Sequence, residues 1–212
     1  MGCRNEVVIP TGIKWGLVLL AAGRSGRMGK PKLLLSWANT SILGHQLRDW
    51  QLLPVRQIAV VSAQGDDPLR AELDRLDFPA NDRILNPQPE LGMFSSIRCA
   101  AQWPGWENGL THWVITLGDQ PHLQLETLRT LLGFSAANPD KVCQPRRLDR
   151  LHHPVVLPQK FFLQLGETRA ATLKDYLNSI SKHAAGVEID DAGLGFDIDT
   201  PADYARALAD FH

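Results

Sequence analysis

The stretch that decides the fold is GLVLLAAGRSGRMGKPKLLL, residues 16–35. Its first seven residues, Gly16 to Ala22, are short and apolar on every side, as a strand buried on both faces of a parallel sheet should be. A glycine-rich loop follows, Gly23 to Pro31. Gly23, Gly26 and Gly29 recur at every third position, and Arg24, Arg27, Lys30 and Lys32 crowd the same loop with no acid among them. Glycines let backbone amides turn inward into an anion-binding concavity, and the cations neutralise phosphate. The alternative reading is a solvated basic turn. The spacing is not the Walker pattern Gly-x-x-x-x-Gly-Lys-Ser/Thr. Nor is it Gly-x-Gly-x-x-Gly, so a dinucleotide fold loses support.

From this strand outward the rhythm repeats. Ser41 can cap a helix running to about Leu53, where Pro54 ends it. Gln57–Ser62 reads as a strand, Pro68–Leu76 as a helix and Arg83–Leu85 as a short strand. Ser95–Gln102 reads as a helix, Trp113–Leu117 as a strand and Gln124–Leu132 as a helix. This alternation predicts an α/β fold of Rossmann-like type, a mainly parallel sheet with helices on both faces. The later part is less regular. Pro154–Leu157 reads as a strand, and Phe161–Leu165 and Thr168–Ile180 as helical. A last helix opens at Thr200-Pro201-Ala202-Asp203, with Thr200 as N-cap, Pro201 in the first helical position and Asp203 completing a capping box. No linker divides the chain, so residues 15–212 are expected to be one domain behind a loose N-terminal extension, residues 1–14.

Composition excludes several classes. A chain of 212 residues buries about 70% of its unfolded surface and needs no disulfide or structural metal to fold. The charge sum, 22 − 23 = −1, argues against a nucleic-acid binder. Cys3, Cys99 and Cys143 form no Cys-x-x-Cys, so neither a zinc knuckle nor a disulfide framework is supported; they read as reduced thiols of a cytoplasmic protein. No apolar run reaches the roughly 18 residues a membrane span needs, and the N-terminus is a poor signal peptide. The tryptophans share no spacing and read as packing.

Ligands of an open parallel sheet bind beyond the carboxyl ends of its strands, and further polar segments are expected there. Gly118-Asp119-Gln120-Pro121 follows an apolar strand directly. Asp119 there suits Mg²⁺, which takes one or two carboxylates plus substrate phosphates, or else it is an ordinary turn residue. Asp197 and Asp199 are two apart, so on an extended segment they face the same way. Asp199 is either a second carboxylate for the metal or a partner of the helix dipole that follows. Gly92, Ser95 and Ser96 stand before a helix, as caps or as phosphate contacts. His152 and His153 are adjacent and, if extended, point to opposite sides, so they do not easily reach one site; joint metal ligation is not expected, and one of them facing a substrate pocket is.

Leu20–Leu35 resembles the signature Leu-Ala-Ala-Gly-x-Ser-x-Arg-Met-Gly-x-Pro-Lys of the MobA-like nucleotidyltransferases of molybdenum cofactor synthesis. Further landmarks follow in order: Asn86 with Gly92-Met93-x-x-Ser96, Gly118–Pro121, His153-Pro154-Val155, and Asp197–Thr200 with Pro201 and Asp203. The likeness spans about residues 16–210 and is strongest to the molybdenum cofactor cytidylyltransferases. It implies the nucleotide-diphospho-sugar transferase-like fold and attack of a phosphorylated acceptor on an NTP, with release of pyrophosphate. Carried over by position, Leu20, Ala21, Ala22 and Gly23 would meet the nucleotide, with Ser25, Gly26, Arg27, Lys32, Gly92 and Ser96. Arg27, Lys32 and Asp119 would be catalytic, and Asp119 and Asp199 would hold Mg²⁺. Gln120, Pro121, His153 and Asp197 would face the acceptor. Ala21-Ala22-Gly23 is similar to the cytidylyl form, which points to CTP as donor, molybdopterin as acceptor and a molybdoenzyme as recipient. The sequence departs from the pattern at His152, where glycine is usual, and at Gly166–Ala171. Both departures lie on the acceptor side, so a guanylyltransferase or a transferase acting on a sugar phosphate are the alternatives. A carrier without turnover would not need Lys32, Asp119 and Asp199.

Overall fold

The computed structural model describes residues 12–23 and 25–211. Arg24, Cys3 and most of the expected N-terminal extension therefore lie outside the described residues. Within them the chain runs β1 (Trp15–Leu20), a small hairpin of β2 (Ser36–Trp37) and β3 (Thr40–Ser41), α1 (Ile42–Gln51), β4 (Val55–Ala63) and α2 (Asp67–Arg75). It continues with β5 (Arg83–Asn86), α3 (Met93–Ala101), β6 (His112–Leu117) and α4 (Leu125–Ala137). Then come β7 (Val142–Arg147), β8 (Arg150–Leu151), β9 (Val155–Pro158), α5 (Gln159–Gln164), α6 (Leu173–Ser179), β10 (Ala184–Glu188) and α7 (Pro201–Phe211).

The main sheet has the order β10-β7-β9-β6-β1-β4-β5, with β8 hairpinned onto β7. The β5-β4-β1-β6 half is parallel throughout, as the sequence rhythm predicts. β9 lies antiparallel between β6 and β7, and β10 runs parallel to β7, so the sheet is mixed but mostly parallel.

Strand alternation sends side chains to two cores. Val18 and Leu20 of β1 join Ile97 and Ala100 of α3, Trp113 and Ile115 of β6, and Phe161 and Phe162 of α5. Leu17 and Leu19 face the other way. Leu19 packs with α1, α2 and α7 through Ile42, Leu69 and Ala207, and Leu17 with Trp50 and the α4 leucines Leu128, Leu131 and Leu132. The tryptophans do serve packing: Trp113 stacks on Phe162 at 4.7 Å, and Trp106 meets both edge-on.

The caps agree with the sequence. Ser41 accepts from Gly44 N at 3.0 Å, and Thr200 and Asp203 exchange reciprocal bonds at 3.2 and 3.0 Å. Two expectations are corrected. Thr168–Ile180 is helical only over Leu173–Ser179, because Thr172 caps that turn by accepting from Asp175 N. α3 starts at Met93, with Gly92 in its cap position at φ 87°, so Ser95 and Ser96 lie within the helix instead of capping it.

Candidate active site

The chain leaves β1 toward β4 and β5 and returns to β6 on β1's other side. That reversal opens a crevice at the carboxyl ends of β1 and β6. The two strands end in register, Leu20 beside Leu117. Gly118 N then donates to Leu20 O at 3.0 Å, and a Cβ on Gly118 would stand 2.8 Å from that same oxygen. Glycine is what lets the Asp119 turn close on the loop that follows β1.

The crevice holds a cleft of about 480 Å³. Leu20, Ala21, Ala22 and Gly23 line one side, with Lys32 and Asp119. Gly92, Met93 and Ser96 of α3 line the other, with Pro89 and Glu90. Ser96 is buried, and its hydroxyl accepts from Asn86 Nδ2 at 2.9 Å. Leu33, Pro89, Glu90, Met93 and Leu117 are wall residues that the sequence reading passed over. Only the signature's apolar neighbours could have signalled them.

Opposite charges converge at the cleft's rim. The ammonium of Lys32 pairs with Asp119 Oδ2, lies 3.4 Å from Asp199 Oδ1 and donates to Ile198 O at 3.2 Å. Arg27 Nη2 meets Asp199 Oδ2 at 2.8 Å. Ser25, at φ 22°, turns its hydroxyl to accept from Lys32 N at 3.0 Å, so it orients the lysine's backbone. Ile198 is fully buried between Asp197 and Asp199, which explains why both carboxylates turn toward the site. Burial, reinforced by Asp119 and Asp199, holds the Asp197 carboxyl above the usual range.

Among the described residues no three or more His, Cys, Asp or Glu side chains form a metal cage. Mg²⁺ does not require one when phosphate oxygens complete its shell. Asp119 and Asp199 converge on one ammonium, which stands where a cation between them would be held. The residues therefore fit the expected metal. Gln120 and Pro121 follow in a buried turn, and the Gln120 Oε1 atom is buried with no hydrogen-bond partner among the described residues.

A second cleft, of about 640 Å³, adjoins the first at Met93. His152 and His153 both line it, with Gln144, Arg150, Lys174 and Asn178. The expectation that the two histidines do not easily reach one site is corrected: the chain bends at His153 and is not extended there. Burial holds the His153 imidazole below its ordinary pKa, so it is a neutral hydrogen-bonding group at pH 7.

Fold and site together define a nucleotidyltransferase of the nucleotide-diphospho-sugar transferase fold. Residues 17–185 match the family model for the MobA-like NTP transferase domain, and the chain belongs to that family. It is 27% identical over 191 residues to the molybdenum cofactor cytidylyltransferase of Escherichia coli, covering 90% of this chain and 93% of that protein. It is 29% identical over 133 residues to a "probable molybdenum cofactor guanylyltransferase" of Rhodopirellula baltica, covering 62% and 61%. Among solved structures it resembles Rv0371c of Mycobacterium tuberculosis, with a TM-score of 0.74, 26% identity, and 94% of this chain and 100% of that one covered. Rv0371c has also been solved in complex with manganese.

Proposed function

We propose that this enzyme transfers CMP from CTP to molybdopterin, or its molybdenum-bearing form, with Mg²⁺ and release of pyrophosphate. The observation that carries the reading is the convergence of Lys32, Asp119 and Asp199 beside a cleft floored by Leu20–Gly23. The Ala21-Ala22-Gly23 form of the loop and the length of the match to the E. coli cytidylyltransferase favour CTP over GTP.

In this reading Leu20–Gly23, Gly92 and Ser96 receive the nucleotide. Ser25, Gly26, Arg27 and Lys32 receive the triphosphate. The Arg27 side chain is 72% exposed and free to swing from Asp199 to a phosphate, which its planar fork grips through two bonds. Asp119 and Asp199 hold Mg²⁺, which when bound neutralises charge on the α-phosphate and the leaving pyrophosphate. An oxygen of the acceptor phosphate bonds to the α-phosphorus as the bond to the β-phosphate oxygen breaks, and pyrophosphate carries away the electron pair. The acceptor phosphate is already ionised at pH 7, so no general base is needed; the protein positions the reactants and neutralises charge. The second cleft supplies room for the acceptor beside His153; Gln120, Pro121 and Asp197 line neither cleft and are assigned to the acceptor by the family resemblance alone. The reaction belongs in the cytoplasm, in keeping with the free thiols Cys99 and Cys143, and the product passes to a molybdoenzyme. No helix among the described residues is long and apolar enough to cross a membrane.

The test is pyrophosphate release from each NTP, with and without Mg²⁺ and molybdopterin. Release that requires CTP, molybdopterin and the metal is expected. Release with GTP, or with a sugar phosphate in place of molybdopterin, replaces this substrate assignment.

A further inference from the structure

Asp191 lies away from the cleft walls and is 1% exposed. A carboxylate so deeply buried needs partners, and it has three. Its Oδ2 accepts from Gln124 N at 3.0 Å and from Thr127 Oγ1 at 2.6 Å. Its Oδ1 accepts from Gly193 N at 2.8 Å. Gln124 stands at the start of α4 and provides no side-chain cap of its own. Asp191 therefore ties the start of α4 to a distant part of the chain, where the helix dipole also favours a negative charge.

The two segments it joins are the ones that carry the site's carboxylates. Gln124 ends the stretch that begins at Asp119, and Thr127 lies in the first turn of α4. Gly193 begins the stretch that ends at Asp197 and Asp199. The join is tight on both sides. A Cβ on Gly193 would meet His122 Cδ2 at 2.9 Å and His122 O at 3.0 Å. His122 Nε2 lies 3.2 Å from Gly193 O, and its ring packs edge-on against Phe196.

We infer that Asp191 is a positioning residue: it clasps the 191–199 segment to the start of α4 and so sets Asp199 opposite Asp119. This inference rests on the reading of those two aspartates as the metal pair. Removing a partner that orients metal ligands costs about 10- to 100-fold in metal affinity.

The experiment titrates Mn²⁺, read by electron paramagnetic resonance, into full-length protein with a non-hydrolysable CTP analogue. Asp191→Ala and Asp191→Asn are each expected to weaken Mn²⁺ binding at least tenfold, and to speed amide exchange over residues 193–199 in metal-free protein. Asp191→Asn does not rescue, because its NH2 would face a donor on one side or the other, Gly193 N or the Gln124 and Thr127 pair. Thr127→Val removes one of the three bonds and should give a smaller loss of the same kind, and Gly193→Ala breaks the clasp from its other side. These two carry the test if the Asp191 variants do not fold. Wild-type Mn²⁺ affinity in a folded Asp191 variant overturns the inference. If wild type itself takes up no Mn²⁺, the metal reading of the site fails; unchanged exchange at 193–199 then overturns the clasp as well, and faster exchange upholds it.

Discussion

Replacing Lys32 with methionine keeps an unbranched side chain, one atom shorter, and removes its charge. The ammonium now lies against two carboxylates and a carbonyl, and its side chain is only 14% exposed. A unit ion pair at the 3.4 Å separation of Lys32 and Asp199 is worth roughly 5 kcal/mol at an effective dielectric of ~20, before desolvation is subtracted. Desolvation offsets most of this, and a buried bond to a charged group nets about 2 kcal/mol. Metal-free Lys32→Met should therefore lose about 2 kcal/mol, a fall in Tm of roughly 4–8 °C. The Asp197 carboxyl, already raised by burial and by its two neighbours, loses the larger of the two charges that lower it, Lys32 rather than His122, and rises further. The same ammonium competes with a metal for Asp119 and Asp199, so divalent cations should bind the variant more tightly. Turnover moves the other way. Loss of one charge-stabilising donor at the reacting phosphate costs about 10²- to 10³-fold in kcat. Pyrophosphate release at saturating CTP and acceptor measures the loss of turnover, and a Mn²⁺ titration without nucleotide measures the tighter metal binding. A kcat near wild type, or weaker metal binding, refutes the reasoning, because Lys32 would then be a structural partner of Asp119 and nothing more.

Gly118→Ala forces a Cβ against Leu20 O and should cost about 1–3 kcal/mol by overpacking; because the Asp119 turn must shift, kcat should fall by more than the stability loss explains, as paired melts and turnover assays would show. Thr200→Ala breaks the reciprocal cap of α7 and should cost about 1 kcal/mol in thermal melts, with kcat near wild type because the pairs of Asp199 with Arg27 and Lys32 remain. Burial lowers the pKa of His112, His122 and His153 below the ordinary 6.5. Below that pH the unfolded chain binds protons the folded chain refuses, so stability falls as the pH drops through 6.5 toward the lower folded values. A Tm that stays flat from about pH 7.5 to 5 contradicts this reading.

The parallel half was legible because its signals are local. β1, β4 and β6 are apolar runs, and Ser41, Pro54, Thr200 and Pro201 punctuate the helices around them. Of the other half only β9 was, through the apolar run Pro154–Leu157; β7, β8 and β10 were not. β7 carries Pro145, which demotes a run to an edge or a non-strand. Its hairpin turns at Leu148 and Asp149, both at positive φ, without the Asn or Gly that marks such a turn. β10 is AAGVE, short and poor in branched residues, and it becomes a strand only because β7 offers a partner. The site divides along the same line. The loop after β1 and the Asp119 turn were readable as chemistry. The role of Asp191 was not, because its partners Gln124 and Thr127 are distant in sequence.

The acidic stretch shows why composition and even local clustering mislead about function. Glu188, Asp190, Asp191, Asp197, Asp199 and Asp203 follow one another with no cation between them, and the loop from Arg24 to Lys32 is the mirror case. As sequence they read as one negative patch facing one positive patch. In the fold the acids separate by task. Glu188 and Asp190 pair with Arg146 and Arg147 along β7, and Asp203 caps α7. Asp191 is buried among amide and hydroxyl donors. Among the described residues only Asp199, with Asp197 beside it, reaches the basic loop, through Arg27 and Lys32. Six like charges at one site would repel and raise one another's pKa. Spreading four of them over structural partners leaves two carboxylates to join Asp119, a negative charge that Lys32 and Arg27 partly balance.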